Sequence, residues 1–256
     1  MKNLLKEKML RKEPVLGTFS ELGSGFAVEC LGYTGLDFII IDAEHGPFGH
    51  ETAMELIKAA ELSSITPLVR VPDSSRASVL KMLDIGAKGL IVPCINTVEE
   101  VQKLVEYTKY YPLGNRGFAP TRVSGYGNKD FAKNLDGYFA TSNAQTLLLP
   151  QCETVSCLEK IEEIAALDGV DGIFVGPYDL SVALGKPAKF DDKEVIEAIV
   201  RALNAAKKAN KFAFIYAGNV AGAKKHFAAG FDAVAYNMDT IVLIDAFKEA
   251  VKNIKG

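Results

Sequence analysis

Eight short apolar runs alternate with longer stretches of helical pattern along this chain of 256 residues. The runs are nearly continuously hydrophobic, as expected for the strands of a parallel sheet that is buried on both faces. They are VLGTFS (15–20), LDFIIIDA (36–43), TPLVRV (66–71), GLIVP (89–93), TLLLP (146–150), GIFVG (172–176), FAFIYA (212–217) and AVAYN (233–237). Eight such βα units in about 250 residues predict an α/β fold, a (β/α)8 TIM barrel, in a single domain that spans residues 1–256. The alternative is a doubly wound sheet, but such sheets usually have fewer strands, and no GxGxxG sequence follows the first strand.

One segment interrupts this alternation between the fourth and fifth strands. Residues 111–145 are rich in glycine, asparagine and aromatic residues, and they are far longer than a typical βα loop. Ordered loops of this length usually act as lids over a site or as interface elements. We therefore expect a long functional loop after strand 4.

Composition narrows the class of protein. Apolar residues make up 48% of the chain, and the formal net charge is −3 without a basic block, so neither nucleic acid nor a membrane surface is expected as a partner. The start, MKNLLKEKMLRKEP, lacks the apolar core of a signal peptide, and no run reaches the ~18–20 apolar residues of a membrane span. Cys30, Cys94, Cys152 and Cys157 form no CxxC pair, which predicts reduced thiols in a cytoplasmic protein.

Two consecutive strands each deliver an acidic residue to the same edge of the predicted sheet. The strand LLLP ends in Gln151 and Glu153, and the strand GIFVG ends in Asp179. Adjacent strands lie ~4.8 Å apart, so both carboxylates can converge on one cation. Because Mg²⁺ typically takes one or two carboxylates together with water and substrate, the pattern indicates a divalent-metal site with open positions. Each acid alone has a second interpretation, as a helix N-cap or a first-turn acid.

Two further residues stand at the C-terminal ends of strands, where the active site of a barrel is built. His45 follows the second strand in DAEHGP and suits proton transfer near neutral pH, with a polar loop histidine as the alternative. Arg70 ends the third strand in LVRVP and suits an electrostatic clamp on a carboxylate or an oxyanion, with a structural ion pair as the alternative. Gly176, before Pro177, allows a small substrate to approach the backbone closely.

Several motifs follow one another in a fixed order from Gly17 to Gly185: IDAEHGP, LVRVP, LDIGAKGLIVPCINTVEE, GNRG followed by PTRVSGYG, QCETV and VDGIFVGPYDLSVALG. In these motifs and their spacing the chain resembles the HpcH/HpaI family of class II, metal-dependent pyruvate aldolases. That family includes 4-hydroxy-2-oxoheptanedioate aldolase and the 2-keto-3-deoxy sugar-acid aldolases. The C-terminal quarter of the chain matches this family only in its alternation of strands and helices.

The resemblance implies a role for each residue of the predicted site. Glu153 and Asp179 would be the ligands of a divalent metal, which would be Mg²⁺, Mn²⁺ or Co²⁺. His45 would be the general base, Arg70 would stabilise the enolate, and Gln151 would contact pyruvate.

The same resemblance places pyruvate against the backbone at Tyr178 and Asp179, and it assigns to Asp84 the task of raising the basicity of His45. Asp84 falls near the end of a predicted helix, however. It is therefore either a helix-end residue outside the site or a residue that reaches across a subunit interface, and Asp42 is an alternative partner for His45. Family members are commonly hexamers, so a homo-oligomer is expected.

We therefore expect an aldehyde-lyase that cleaves or forms 4-hydroxy-2-oxo acids, giving pyruvate and an aldehyde through a metal-bound enolate. A Schiff-base mechanism is not expected, because the strand ends supply no lysine. Tyr178 and Phe118 are bulky at positions where they would narrow the pocket, which leaves the aldehyde open. The alternatives are another enolate-forming carbon–carbon lyase and a non-catalytic barrel that binds a 2-oxo acid with a metal.

Overall fold

The computed structural model describes residues 2–256 and contains a closed barrel of eight parallel strands. Each strand pairs with the next one along the chain, and the eighth pairs with the first. The strands are β1 (Val15–Ser20), β2 (Phe38–Asp42), β3 (Thr66–Arg70), β4 (Gly89–Val92), β5 (Leu147–Cys152), β6 (Gly172–Val175), β7 (Phe212–Ala217) and β8 (Ala233–Met238). The TIM-barrel fold is therefore confirmed, and every strand overlaps the apolar run that predicts it.

Helices surround the strands and form the outer layer of the barrel. Several begin at side-chain N-caps, such as Thr97, which forms a reciprocal capping box with Glu100. The α-helices are α1 (Leu4–Leu10), α2 (Gly25–Gly32), α3 (His50–Leu62), α4 (Arg76–Ile85), α5 (Val98–Thr108), α6 (Leu135–Gln145), α7 (Val155–Glu159), α8 (Ile161–Ala166), α9 (Pro177–Ala183), α10 (Lys193–Lys208), α11 (Val220–Ala229) and α12 (Asp239–Lys255). Two 3₁₀ turns, Arg122–Ser124 and Asp130–Ala132, lie between α5 and α6.

The core has two layers because side chains alternate along each strand between the barrel interior and the helices. On β2, Ile39 and Ile41 pack in the layer between strands and helices, whereas Phe38 and Ile40 fill the interior. Leu5 of α1 belongs to the interior cluster as well. The interior of the barrel is therefore filled with apolar side chains.

At the C-terminal ends of β2, β3 and β5 the inward positions change from apolar to polar. Asp42 on β2, Arg70 on β3 and Gln151 on β5 are all buried. Each lies two residues after a side chain of the apolar interior cluster. Asp42 and Arg70 are also register partners across the β2–β3 pair. Because side chains alternate along a strand with a period of two, the positions that face the interior also place these polar side chains at one end of the barrel.

The connection between β4 and β5 is the long segment predicted from the sequence. Its aromatic side chains pack on one another, with the rings of Tyr110 and Phe139 stacked at a centroid distance of 4.3 Å. The structure differs from the predicted loop 111–145 in that its last part, α6, is helical. This helix carries Gly137 near its start and buries few side chains, so it lacks the apolar periodicity by which a helix is predicted.

The C-terminal helix, α12, packs on the barrel only at its start. Asp239 is buried there and accepts hydrogen bonds from the amides of Glu21 and Leu22. Apolar side chains farther along the helix, including Phe247 and Ile254, are exposed. α12, like every other helix within residues 2–256, falls short of the length and apolarity of a membrane span.

Candidate active site

A cavity of about 290 Å³ opens at the C-terminal ends of the strands. Most of the residues predicted for the site line it: His45, Arg70, Gln151, Gly176, Tyr178 and Asp179. Glu153 lies beside Gln151, to which it is hydrogen-bonded. The structure therefore brings together all the predicted residues except Asp84.

Arg70 is held at the centre of this group by two carboxylates. Its Nε and Nη2 donate to Asp42 Oδ1 and Oδ2 at 2.9 and 2.5 Å, and Nη1 lies 3.2 Å from Glu44 Oε2. The ring of Phe19 covers the guanidinium at 4.8 Å. Although burial acts in the opposite direction, the two carboxylates raise the pKa of Arg70 above its usual value. The ion pair fixes one edge of a guanidinium that also lines the cavity, so the structural and the functional interpretations are compatible.

His45 stands in the loop after β2 with 66% of its side chain exposed, and its Nε2 lies 3.9 Å from Glu44 Oε2. The loop turns back on the strand end, because the amides of Glu44 and His45 donate to Asp42 Oδ1 at 3.1 and 3.4 Å. A Cβ added at Gly46 would lie 2.1 Å from the carbonyl oxygen of Asp42, so this turn requires glycine. The imidazole is thereby placed at the mouth of the cavity.

Glu44 is a member of the site that the sequence interpretation missed. It is half-buried, and burial raises the pKa of its carboxyl although the charge of Arg70 acts against this shift. Its Oε2 is buried without a hydrogen bond among the residues that the structure describes. The sequence signal that could have identified Glu44 is its position directly before His45 in DAEHGP.

Glu153 is a buried carboxylate with a partner on each oxygen. Its Oε1 accepts from the amide of Cys94 at 2.6 Å, and its Oε2 accepts a short hydrogen bond from Gln151 Nε2. Cys94 has a φ of 56°, a left-handed conformation that directs its amide to Glu153. Burial raises the pKa of the Glu153 carboxyl, against the effect of these two hydrogen bonds.

Asp179 lies in the first turn of α9, whereas β6 already ends at Val175. The structure therefore corrects the expectation that Asp179 ends a strand, and the alternative of a first-turn acid is the one observed. Its negative charge nevertheless adds to the rise in the pKa of Glu153, so the two carboxylates interact. Gly176 allows α9 to start this close to them, because a Cβ there would lie 3.0 Å from both Glu153 Oε2 and Gln151 Nε2.

Asp84 lies outside the cavity, near the end of α4. Its carboxylate accepts a hydrogen bond from Arg116 Nη2 at 2.7 Å, and the Arg116 guanidinium in turn lies over the ring of Tyr110 at 4.8 Å. Within one chain, Asp84 therefore anchors the long β4–β5 segment. Contact between Asp84 and a histidine of another subunit stays a prediction.

The oxygen donors of the site suit a hard divalent cation. Glu153 and Asp179 supply carboxylate oxygens, and Gln151 Oε1 is a buried acceptor without a partner within residues 2–256. Magnesium and similar ions bind such oxygens through one or two carboxylates and keep several waters. Over the same residues, no three His, Cys, Asp or Glu side chains form a group that could hold a metal. Glu153 and Asp179 have the oxygen chemistry that such an ion requires, and their role as its ligands stays a prediction.

Comparison with known proteins connects this geometry to a family. The family model described as HpcH/HpaI aldolase/citrate lyase matches residues 16–246. The chain is 37% identical over 262 residues to a hydroxypyruvate/pyruvate aldolase of Paraburkholderia phytofirmans, and the match covers 99% of this chain and 98% of that protein.

Solved structures agree with this result. An HpcH/HpaI aldolase/citrate lyase family protein from Burkholderia cenocepacia J2315 has a TM-score of 0.92 and 32% identity, with 100% of both chains covered. The citrate synthase SbnG has a TM-score of 0.88 and 27% identity, with 98% of this chain and 97% of that chain covered.

Proposed function

This chain belongs to the HpcH/HpaI aldolase/citrate lyase family, and we propose that it is an aldolase that cleaves or forms 4-hydroxy-2-oxo acids, with pyruvate and an aldehyde as its small-molecule partners. The observation that carries this proposal is the guanidinium of Arg70, which Asp42 fixes in place at the wall of the cavity. A fixed, buried cation suits a reaction in which negative charge develops on a keto oxygen. This cation lies beside the carboxylates that we propose as the ligands of a divalent metal.

Glu153 and Asp179 are the residues that would hold a divalent cation, which we propose to be Mg²⁺, Mn²⁺ or Co²⁺. Such a cation, when bound, polarises the keto group of the substrate as a Lewis acid. Gln151 and the backbone at Tyr178 and Asp179 would orient the 2-oxo acid. Gly176 leaves the space that this close approach requires.

In the cleavage direction, His45 accepts the proton of the C4 hydroxyl while the C3–C4 bond breaks. The electron pair of that bond passes into the enolate of pyruvate, and the C4 fragment leaves as the aldehyde. Arg70 holds the negative charge on the enolate oxygen. A proton is then taken up at C3 to give pyruvate. The exposed position of His45 at the mouth of the cavity allows its proton to exchange with water.

A lysine imine would be the other route to the same products. Among the residues of 2–256 that line the cavity there is no lysine. The lining therefore supports the metal-assisted route, in which Arg70 stabilises charge without forming a covalent bond.

We further propose that copies of this chain associate, as a hexamer by family resemblance, and cover the exposed apolar side chains of α12. Asp84 of one subunit would then be available to His45 of another. The mass of the particle in solution, measured by light scattering, tests this association.

Exchange of solvent deuterium into the methyl group of pyruvate is the experiment that tests the proposed function. It reports enolate formation without any knowledge of the aldehyde. We expect exchange in the presence of Mg²⁺ or Mn²⁺, its loss with excess chelator and its recovery when metal is restored. Exchange that survives chelation, together with trapping of substrate by borohydride, would favour a lysine imine. No exchange under any condition would favour a non-catalytic 2-oxo-acid-binding barrel.

The similarity to citrate synthase SbnG favours one second candidate, in which the enolate adds to an acceptor other than an aldehyde. Incubation of the enzyme with pyruvate and either an aldehyde or a second 2-oxo acid, followed by product analysis, distinguishes the two candidates.

A further inference from the structure

The cavity has a polar half and an apolar half that follow the order of the strands around the barrel. The polar half is formed at the ends of β2 to β5, where Arg70, Gln151 and Glu153 lie, and by Asp179 in the first turn of α9. The other half is formed at β6, β7, β8 and β1 and by the helices α9 and α12. Its lining side chains are Phe19, Phe174, Tyr178, Tyr216, Met238 and Ile241.

The aromatic side chains of the apolar half support one another. The ring of Tyr216 meets the rings of Phe19 and Tyr178 edge-on, at centroid distances of 5.9 and 5.8 Å. Tyr178 also packs edge-on against Phe190 at 4.7 Å. Phe19, Phe174 and Tyr216 are buried, whereas Tyr178 is 48% exposed and forms the outer edge of the wall. These contacts hold flat apolar surfaces in place before any ligand arrives.

The charges around this half are negative. Arg70 is the one lysine or arginine among the described residues that line the cavity, and its donors face Asp42 and Glu44. Asp179, in the first turn of α9 beside Tyr178, is a further carboxylate that lines the cavity. A carboxylate on a ligand would find no free cation there and would be repelled.

The volume of the cavity also limits the size of the ligands that it can hold. Its volume of about 290 Å³ lies near the lower end of the ~300–1,000 Å³ that is usual for small-molecule sites. A 2-oxo acid in the polar half leaves space for one compact group in the apolar half.

We propose that the apolar half is the subsite for the aldehyde, and that it selects uncharged aldehydes with one aromatic ring over aldehydes that carry a carboxylate. This inference rests on the proposed aldolase function. It assigns Tyr178 and Tyr216 as residues that determine specificity.

Three aldehydes with the same ring test the selection in the aldol direction with pyruvate and Mg²⁺: benzaldehyde, 4-formylbenzoate and methyl 4-formylbenzoate. We expect kcat/KM for 4-formylbenzoate to be at least about tenfold below that for the methyl ester, because the negative charges of the site repel its carboxylate in addition to the electronic activation that the ester group gives its aldehyde. Because the ester is the larger molecule, this comparison separates charge from size. Equal values for the acid and the ester, or a preference for the acid, would overturn the proposal.

Two variants test the residues. Tyr178→Ala and Tyr216→Ala should each lower kcat/KM for benzaldehyde relative to acetaldehyde by about tenfold, through loss of ring contact. Tyr33→Ala, at a surface tyrosine that is 92% exposed, is the control and should leave this ratio unchanged. An unchanged ratio in both Tyr178→Ala and Tyr216→Ala would overturn the assignment.

A binding measurement separates this inference from the proposed function. If the wild type shows no methyl exchange with pyruvate, the aldolase proposal fails, and calorimetry then decides the ligand preference. Benzyl alcohol should bind at least about tenfold more tightly than 4-(hydroxymethyl)benzoate, and Tyr178→Ala should weaken that binding. Equal or tighter binding of the carboxylate would overturn the preference whatever the catalytic result.

Discussion

Substitution of Arg70 by lysine keeps one positive charge at the centre of the site but removes the planar fork of the guanidinium. In the structure, that fork gives two hydrogen bonds to Asp42, and the third nitrogen lies 3.2 Å from Glu44. A single ammonium group cannot occupy both positions. The variant therefore leaves at least one buried carboxylate oxygen without its partner and withdraws the charge from the cavity wall.

The size of the effect follows from these contacts. A hydrogen bond to a charged group contributes about 1.5–3 kcal/mol, so the loss of one should destabilise the fold by roughly that amount. Removal of a fixed donor from a developing oxyanion costs about 2–4 kcal/mol in the transition state, which corresponds to a decrease of about 30- to 1,000-fold in kcat/KM. We expect Arg70→Lys to show both effects, with the loss of activity exceeding what the loss of folded protein explains.

Thermal unfolding, kcat/KM for aldol cleavage and methyl exchange into pyruvate are the three measurements, and exchange isolates the enolate step. Arg201→Lys is a matched control, because Arg201 makes the same two-bond contact with Glu162 at the surface. An exposed pair of this kind contributes at most about 1 kcal/mol. Activity of Arg70→Lys within threefold of the wild type, with normal exchange, would refute the assigned role and leave Arg70 as a structural ion pair.

Further outcomes are expected from the same site and from one surface ion pair. His45→Ala should lower aldol cleavage by about 10²–10⁴, while calorimetry should show pyruvate affinity close to that of the wild type. Gly176→Ala should lower kcat/KM by about 10- to 100-fold with little change in Tm, because the added Cβ displaces Glu153. Burial acts to raise the pKa of the Glu61 carboxyl, but ion pairs with Lys88 and Arg122 hold this pKa below its usual value. The stability that these ion pairs contribute is present above the unfolded-state pKa of Glu61 and is lost as pH falls through its folded-state pKa. Glu61→Gln should therefore lower the free energy of unfolding by about 1 kcal/mol at pH 7, and by progressively less as pH falls and the carboxyl becomes protonated.

The strands were predictable because their pattern reflects the burial of a parallel sheet on both faces. Two predicted runs, 15–20 and 212–217, have the same bounds as β1 and β7. Helices were less predictable where packing decides them. The helical pattern of SCLEKIEEIAAL (156–167) indicates one continuous helix, whereas the structure divides this stretch at Lys160 into α7 and α8.

The site was predictable where polar residues interrupt an apolar run. Arg70 and Gln151 stand out in this way, and the register of β2 with β3 places Asp42 opposite Arg70. Phe19 and Tyr216 were missed because an inward aromatic residue at the end of a strand looks like any core residue in the sequence. Only the closure of the barrel shows that they line a cavity.

The site contains more carboxylates than cations. This excess bears both on the proposed divalent metal and on the proposed preference for uncharged aldehydes. Asp42 and Glu44 already balance the charge of Arg70 with one negative charge to spare, and Glu153 and Asp179 add two more. A divalent cation would neutralise that pair, but the carboxylate of a bound 2-oxo acid would then restore a negative charge. The polar half therefore stays negative with its reactants in place, and it would repel a second carboxylate in the apolar half. If measured selectivity nevertheless favoured a carboxylated aldehyde, a cation from outside these residues, such as one on a neighbouring subunit, would have to reach the cavity.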